Sequence, residues 1–140
     1  MKNCEQTAGQ SVWDHGVSVH QYFNRIINGD TEGMRIPDWF IQNRDKIIAN
    51  LHSTQVIHDY TVYHDCGKPY CREVDSEGKV HFPKHAEVSA HTYISATEDT
   101  VVSNLIGYDM SIHTANAEQI DKLCAEWDIK DAMTLIIAAL

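Results

Sequence analysis

The chain has 140 residues, enough to bury one hydrophobic core and too few for two typical domains, so a single domain over 1–140 is expected. With 43% hydrophobic and 22% charged residues, no run approaches the roughly 18 uninterrupted apolar residues a membrane span needs, and no membrane partner is expected. A formal net charge of −9 argues against sequence-independent wrapping of a nucleic acid, which needs many Lys and Arg side chains on phosphates, and leaves contact with a single phosphate or strand end.

The polar start Met1-Lys2-Asn3-Cys4-Glu5-Gln6 lacks the apolar segment of a signal peptide, so a cytoplasmic location is the expectation. Ser11-Val12-Trp13-Asp14 has the form of a capping box with Asp in place of Glu or Gln. Val12, Val19, Phe23, Ile26 and Ile27 follow as a helical stripe, ended by Asn28-Gly29. Pro37 stands where the first residue of a second helix belongs, ahead of Trp39, Phe40, Ile47, Ile48 and Leu51. A third helix is predicted from Ser53 or Thr54 to Asp65, with Ile57, Tyr60, Thr61 and His64 on one face, stopped by Gly67 and Pro69.

Between 71 and 82, two short β-prone runs flank Ser76-Glu77-Gly78 and predict a short hairpin or ordered loop. Four further helices are predicted near 84–96, 99–110, 116–127 and 129–140, with Asp99, Asn116 and Asp128 as N-caps. The whole is an all-α domain. The last apolar run, Thr134 to Leu140, has no cap, which predicts either a docked terminal helix or a chain cut before its natural finish. Cys4, Cys66, Cys71 and Cys124 form no C-x-x-C pair and are expected to be reduced, with Cys66 acting as a small apolar side chain. Trp13, Trp39 and Trp127 have aliphatic neighbours and are expected in the core.

The chemistry-bearing feature is His64-Asp65 at the carboxyl end of an apolar helix, directly before Gly67-Lys68-Pro69. Adjacent helical residues project about 100° apart, so imidazole and carboxylate can approach one ion from two sides. That donor pair suits Zn, Mn, Fe, Ni or Co in a hydrolytic site. On the dipeptide alone, an ordinary helix-end pair is the better account, and the surroundings decide otherwise.

Asp14-His15-Gly16, Tyr63-His64-Asp65-Cys66-Gly67-Lys68-Pro69 and Phe82-Pro83-Lys84-His85-Ala86-Glu87-Val88-Ser89-Ala90 together resemble the HD superfamily of metal-dependent phosphohydrolases. In order and spacing they look most like the HD domains joined to bacterial CCA-adding tRNA nucleotidyltransferases and to some bacterial polynucleotide kinases. The resemblance runs from about Ser11 to about Met110 and includes the connecting stretch from Arg72 to Phe82.

It implies a compact HD-type helical bundle and a divalent metal cofactor (Mn, Ni, Co, Zn, Fe or Mg) held by His15, His64, Asp65 and His85. Asp65 and Lys68 would be the catalytic groups, with Lys68 touching a substrate phosphate or orienting Asp65, and with Arg72 assisting at the substrate. In Leu105-Ile106-Gly107-Tyr108-Asp109-Met110 the place that commonly holds His is Asp109, a candidate ligand; His113, four residues on, would share its face. The family's closing Asp has no clear match, Asp131 being the candidate within the chain, so a one-metal site is the expectation. The implied activity is hydrolysis, by metal-activated water, of a nucleotide or RNA-end phosphate ester (2′,3′-cyclic, 2′- or 3′-phosphate). The alternatives are a nucleotidase or dNTP hydrolase and a non-catalytic module that binds nucleotide or metal. His20, His52, His58 and His91 match no family ligand and are read as structural, capping or surface residues, and His81 as a loop residue near Phe82.

Overall fold

Ser11 caps the first long helix in the computed structural model, which describes residues 1–140. The Ser11 hydroxyl accepts from the Asp14 backbone at 3.1 Å, and the Asp14 carboxylate accepts from the Ser11 N–H at 3.3 Å, closing the capping box that starts α1, Val12–Ile27. Gly29, at φ 78°, takes the left-handed turn after the helix end, a conformation that favours glycine. Pro37 stands one position earlier than the sequence suggests, as the extended N-cap of α2, Asp38–Ala49. Its carbonyl accepts from Phe40 and Ile41, and its missing N–H is not needed there.

The third helix is shorter than expected. α3 covers Thr54–Tyr63, with His64 as its C-cap, so the His64-Asp65 pair lies past the helix end. Tight turns carry the chain onward: Cys66 N–H reaches Tyr63 O at 2.9 Å and Lys68 N–H reaches Asp65 O at 3.0 Å. They lead into the single-turn α4, Lys68–Cys71, where Pro69 is tolerated because the first-turn N–H groups have no intrahelical partner.

The expected hairpin is present as β3, Glu73–Val74, antiparallel to β4, Val80–His81. The Asp75 carboxylate accepts from Glu77 and Lys79 backbones across its turn. A second hairpin, β1 Glu5–Thr7 with β2 Gln10–Ser11, precedes α1 where the sequence predicts no strand. Then come α5, His85–Thr97; α6, Thr100–His113; α7, Ala117–Glu126; and α8, Ile129–Ala138. Asp99, Asn116 and Asp128 cap α6, α7 and α8 as predicted, each side chain accepting a first-turn N–H. The fold is thus all-α, with seven helices of ten or more residues and two minimal hairpins.

α3 is the organising helix. Tyr60 joins Val102, Leu105, Ile106 and Leu135 in one core cluster, whereas Ile57 joins Phe23, Ile26, Phe40, Ile47 and Ile137 in the other. Each large apolar side chain removed from water contributes about 1.5–3 kcal/mol, so both faces of α3 are firmly held. Trp39, expected in the core, is 46% exposed on the first turn of α2. Trp13 instead packs edge-on against Tyr63, and Trp127 lies against Tyr108 and the first cluster. No helix is long and apolar enough to cross a membrane, and all four cysteines are free thiols.

Candidate metal centre

Two glycines let three segments come together. A Cβ on Gly16 would lie 2.2 Å from the Val62 carbonyl oxygen, so α1 and α3 touch backbone to backbone beside His15 and His64. A Cβ on Gly67 would lie 2.4 Å from the Ser89 nitrogen, so the turn after α3 rests directly on α5, one helical turn beyond His85. Gly67 N–H donates to the Ser89 hydroxyl at 2.9 Å and the Cys66 thiol to the Ser89 carbonyl at 3.4 Å, fixing that contact. Here glycine is required by lack of space, not by backbone angle.

The result converges on Asp65, which is only 2% exposed. Its Oδ2 lies 2.7 Å from Lys68 Nζ, 3.2 Å from His64 Nε2 and 3.7 Å from His15 Nε2. Its Oδ1 faces His85 Nε2 at 3.6 Å. Ligand atoms of His15, His64 and Asp65 all lie within 4.8 Å of one another, whereas His85, also expected as a ligand, stands outside that group and reaches only the far carboxylate oxygen. Two donors on one ion with bonds of about 2.1 Å lie about 3.0 Å apart at a right angle and about 3.4 Å apart at the tetrahedral angle. The imidazole–carboxylate spacings of 3.2–3.7 Å start inside that range and run slightly above it, so the donor set has the chemistry for a divalent cation and would close by a few tenths of an ångström around one.

Tautomers follow from the other ring nitrogens. His64 Nδ1 is 2.8 Å from the Thr61 carbonyl and His85 Nδ1 is 3.2 Å from the Phe82 carbonyl. A carbonyl only accepts, so each Nδ1 carries its proton; the Nε2 that faces Asp65 donates to the carboxylate when the ring is protonated and is the free ligand position when the ring is neutral. A backbone carbonyl behind the imidazole is the common support of metal-binding histidines.

Charge balance is tight. Burial alone would raise the Asp65 carboxyl, but the hydrogen bond and charge of His64 and the Lys68 ammonium hold it well below the ordinary carboxylate range. Burial pulls His64 down, yet the Asp65 hydrogen bond, the Asp65 and Asp109 charges and the Thr61 carbonyl together raise it above 6.5. His15 is lowered, by burial first and then by His64, against the pull of Asp65. The Lys68 ammonium sits beneath the Phe82 ring, 5.3 Å from its centroid, and the residue is 8% exposed.

The remaining expected residues are placed differently. Asp109, buried on α6, accepts from the Tyr60 hydroxyl through Oδ1, and its Oδ2 lies 3.8 Å from His113 Nε2. It is outside the group whose ligand atoms are mutually within 4.8 Å, though its charge reaches both His15 and His64. α6 does continue through His113, so the two side chains share a face. Arg72 is exposed at the end of α4 and lines a cleft with Met1, Asn3, Cys4, Glu5 and Pro69, none of them a candidate ligand. Asp131 pairs with His52 at 2.6 Å. His20 donates to the Thr61 hydroxyl at 2.9 Å and accepts from Asn24 at 3.0 Å, a satisfied structural histidine. Sequence reasoning missed Ser89, Thr61 and Phe82 as supports of the site; the only signal for them was their position three or four residues from a candidate ligand or glycine.

No family model matches the chain, and no curated protein or solved structure matches it.

Proposed function

We propose that the chain is an HD-type metal-dependent phosphohydrolase acting on a nucleotide or RNA-end phosphate ester. The observation that carries this reading is the set of three imidazole Nε2 atoms around one buried, ionised carboxylate, with His64 and His85 fixed from behind by backbone carbonyls. His15, His64 and Asp65 would hold a divalent ion, with His85 completing the set from the other carboxylate oxygen. Imidazole with carboxylate favours Mn, Fe, Co, Ni or Zn over purely oxygen-seeking ions. A bound ion of this kind supplies Lewis acidity and makes water a stronger acid.

The protein's own groups have distinct tasks. Lys68, 2.7 Å from Asp65, keeps that carboxylate ionised and sets its rotamer. Because the ammonium retains two further N–H donors, it can also answer negative charge on a neighbouring phosphoryl oxygen. The choice of a nucleotide or RNA-end ester, with nucleotidase or dNTP hydrolase as the neighbouring alternative, rests on the sequence resemblance.

A non-catalytic module that binds metal or nucleotide is the second reading. It is favoured by Asp109, whose Oδ1 is already taken by Tyr60, and by Lys68, already covered by Phe82. A panel of 2′,3′-cyclic nucleotides, RNA 3′-phosphates, nucleoside monophosphates, dNTPs and p-nitrophenyl phosphate, assayed with Mn, Co, Ni, Zn and Mg, separates the two. The enzyme reading expects metal-dependent release of product that disappears in Asp65→Asn. Retained nucleotide with no turnover under any metal would leave only the module.

A further inference from the structure

Two non-glycine residues adopt left-handed backbone, Lys84 at φ 53° and Glu98 at φ 60°. Glu98 has an ordinary reason: it follows the end of α5, and its N–H returns to Ile94 O, as helix C-termini commonly do. Lys84 has none. It precedes the same helix, its side chain makes no capping hydrogen bond, and it is exposed. A residue with a Cβ is disfavoured in this conformation and normally persists there only where the surroundings impose it.

What the kink accomplishes is visible on either side of it. Lys84 directly precedes His85, and the reversal brings the Phe82 carbonyl back to within 3.2 Å of His85 Nδ1. The same turn lays the Phe82 ring over Lys68, which is bound to Asp65 Oδ2, while His85 Nε2 faces Asp65 Oδ1 at 3.6 Å. One turn therefore governs the side chains that address both oxygens of the central carboxylate. Pro83, with its restricted φ, leaves Lys84 as the residue that must absorb the change in direction.

We propose that the left-handed turn at Lys84 is a positioning device for His85: it holds the Phe82 carbonyl behind the ring, fixes the Nδ1–H tautomer and leaves Nε2 aimed at Asp65. Lys84 acts through its backbone, not through its ammonium. The metal-affinity part of the inference rests on the function proposed above; the tautomer part does not.

The test uses the full chain without metal, at a pH above the imidazole range, about 8, and reads histidine ring 15N shifts by NMR. The His85 signals are identified by their absence in His85→Gln. The wild type and Lys84→Gly, in which the left-handed angle is comfortable, should show His85 locked as Nδ1–H. Lys84→Val, whose β-branch opposes that angle, should keep its helical circular dichroism and cooperative unfolding but show His85 averaged between tautomers.

Cobalt(II) alone, followed by its d–d absorption, gives the second readout. Its affinity should fall about tenfold or more in Lys84→Val and stay within about twofold of wild type in Lys84→Gly, the size expected for a group that orients a ligand from behind. Retention of the locked tautomer in Lys84→Val, its absence in the wild type, or failure of Lys84→Val to fold would each overturn the proposal. If the wild type binds no cobalt, the metal reading fails, and the tautomer comparison still decides this one.

Discussion

Two groups of histidine and aspartate in this molecule have nearly the same composition and opposite construction. His15, His64 and Asp65 form one; His52, Asp128 and Asp131 form the other, and in both the donor atoms lie within 4.8 Å of one another. In the second, His52 Nε2 meets Asp131 Oδ1 at 2.6 Å, closer than two donors sharing an ion with bonds of about 2.1 Å can comfortably stand. Asp128 is committed to the Lys130 N–H at the start of α8, where the helix dipole favours an anion and opposes a cation. The His52 N–H adds a bond to Thr134 Oγ1 at 3.3 Å, so this group ties the α2–α3 connection to α8. Around the first group, by contrast, His15, His64 and the neighbouring His85 stand 3.2–3.7 Å from a buried carboxylate, and His64 and His85 give their Nδ1–H to backbone. Proximity of metal-binding residue types is therefore a poor guide; the destination of each imidazole N–H separates a fastening from a candidate site.

That contrast can be broken by removing the space each group depends on. Gly16→Ala drives a Cβ into the Val62 carbonyl at 2.2 Å, so it should cost about 3 kcal/mol or more in denaturant unfolding and disrupt only the first group. A variant of wild-type stability would show that α1 and α3 separate easily and that the site is not held by their contact. Asp131→Asn should cost about 1.5–3 kcal/mol, through loss of a charge-assisted hydrogen bond that is largely shielded from water, and leave metal affinity unchanged. Weaker metal binding in that variant would merge the two groups functionally. Tyr60→Phe, which removes the donor to Asp109, should cost about 1.5–3 kcal/mol and change cobalt affinity little, because Asp109 stands outside the first group; a large loss of affinity would make Asp109 a ligand.

pH sharpens the comparison further. His64 is raised above 6.5, so its contribution to metal-free stability is complete below that value and is lost as pH rises through its folded pKa. His15 is lowered, so its contribution is present above 6.5 and is lost as pH falls through its folded value, weakened by its partial exposure to solvent. This pair should thus make metal-free stability greatest near 6.5, whereas metal affinity should keep climbing above 6.5 as His64 gives up its proton. Affinity that is flat across this range would exclude His64 as a ligand.

Much of the fold was written locally. Ser11, Asp99, Asn116 and Asp128 announce helix starts through contacts within three residues, and each cap is present. α3 ends earlier than its apolar periodicity predicts because His64-Asp65 is drawn into a turn by Gly67 resting on Ser89, a contact across 22 residues that periodicity does not encode. Short β1 and β2 have too few residues to show alternation. Within the site, His15, His64, Asp65, Lys68 and His85 could be singled out by motif, and the chain brings the other four to the Asp65 carboxylate. Asp109 could be singled out too, but not its engagement by Tyr60, 49 residues away, nor the fastening of Asp131 to His52, 79 residues away. Arg72 points elsewhere because the end of α4 and β3 turn it toward the amino-terminal segment.

The proposed function requires a cation at the first group and none at the second. Titration of the metal-free chain with cobalt(II), in parallel with Asp65→Ala and Asp131→Ala, addresses it most directly. A cation site at Asp65 predicts one saturable ion per wild-type chain, affinity at least about 100-fold weaker in Asp65→Ala, and wild-type affinity in Asp131→Ala. Equal binding by wild type and Asp65→Ala, or loss of binding in Asp131→Ala alone, would contradict it.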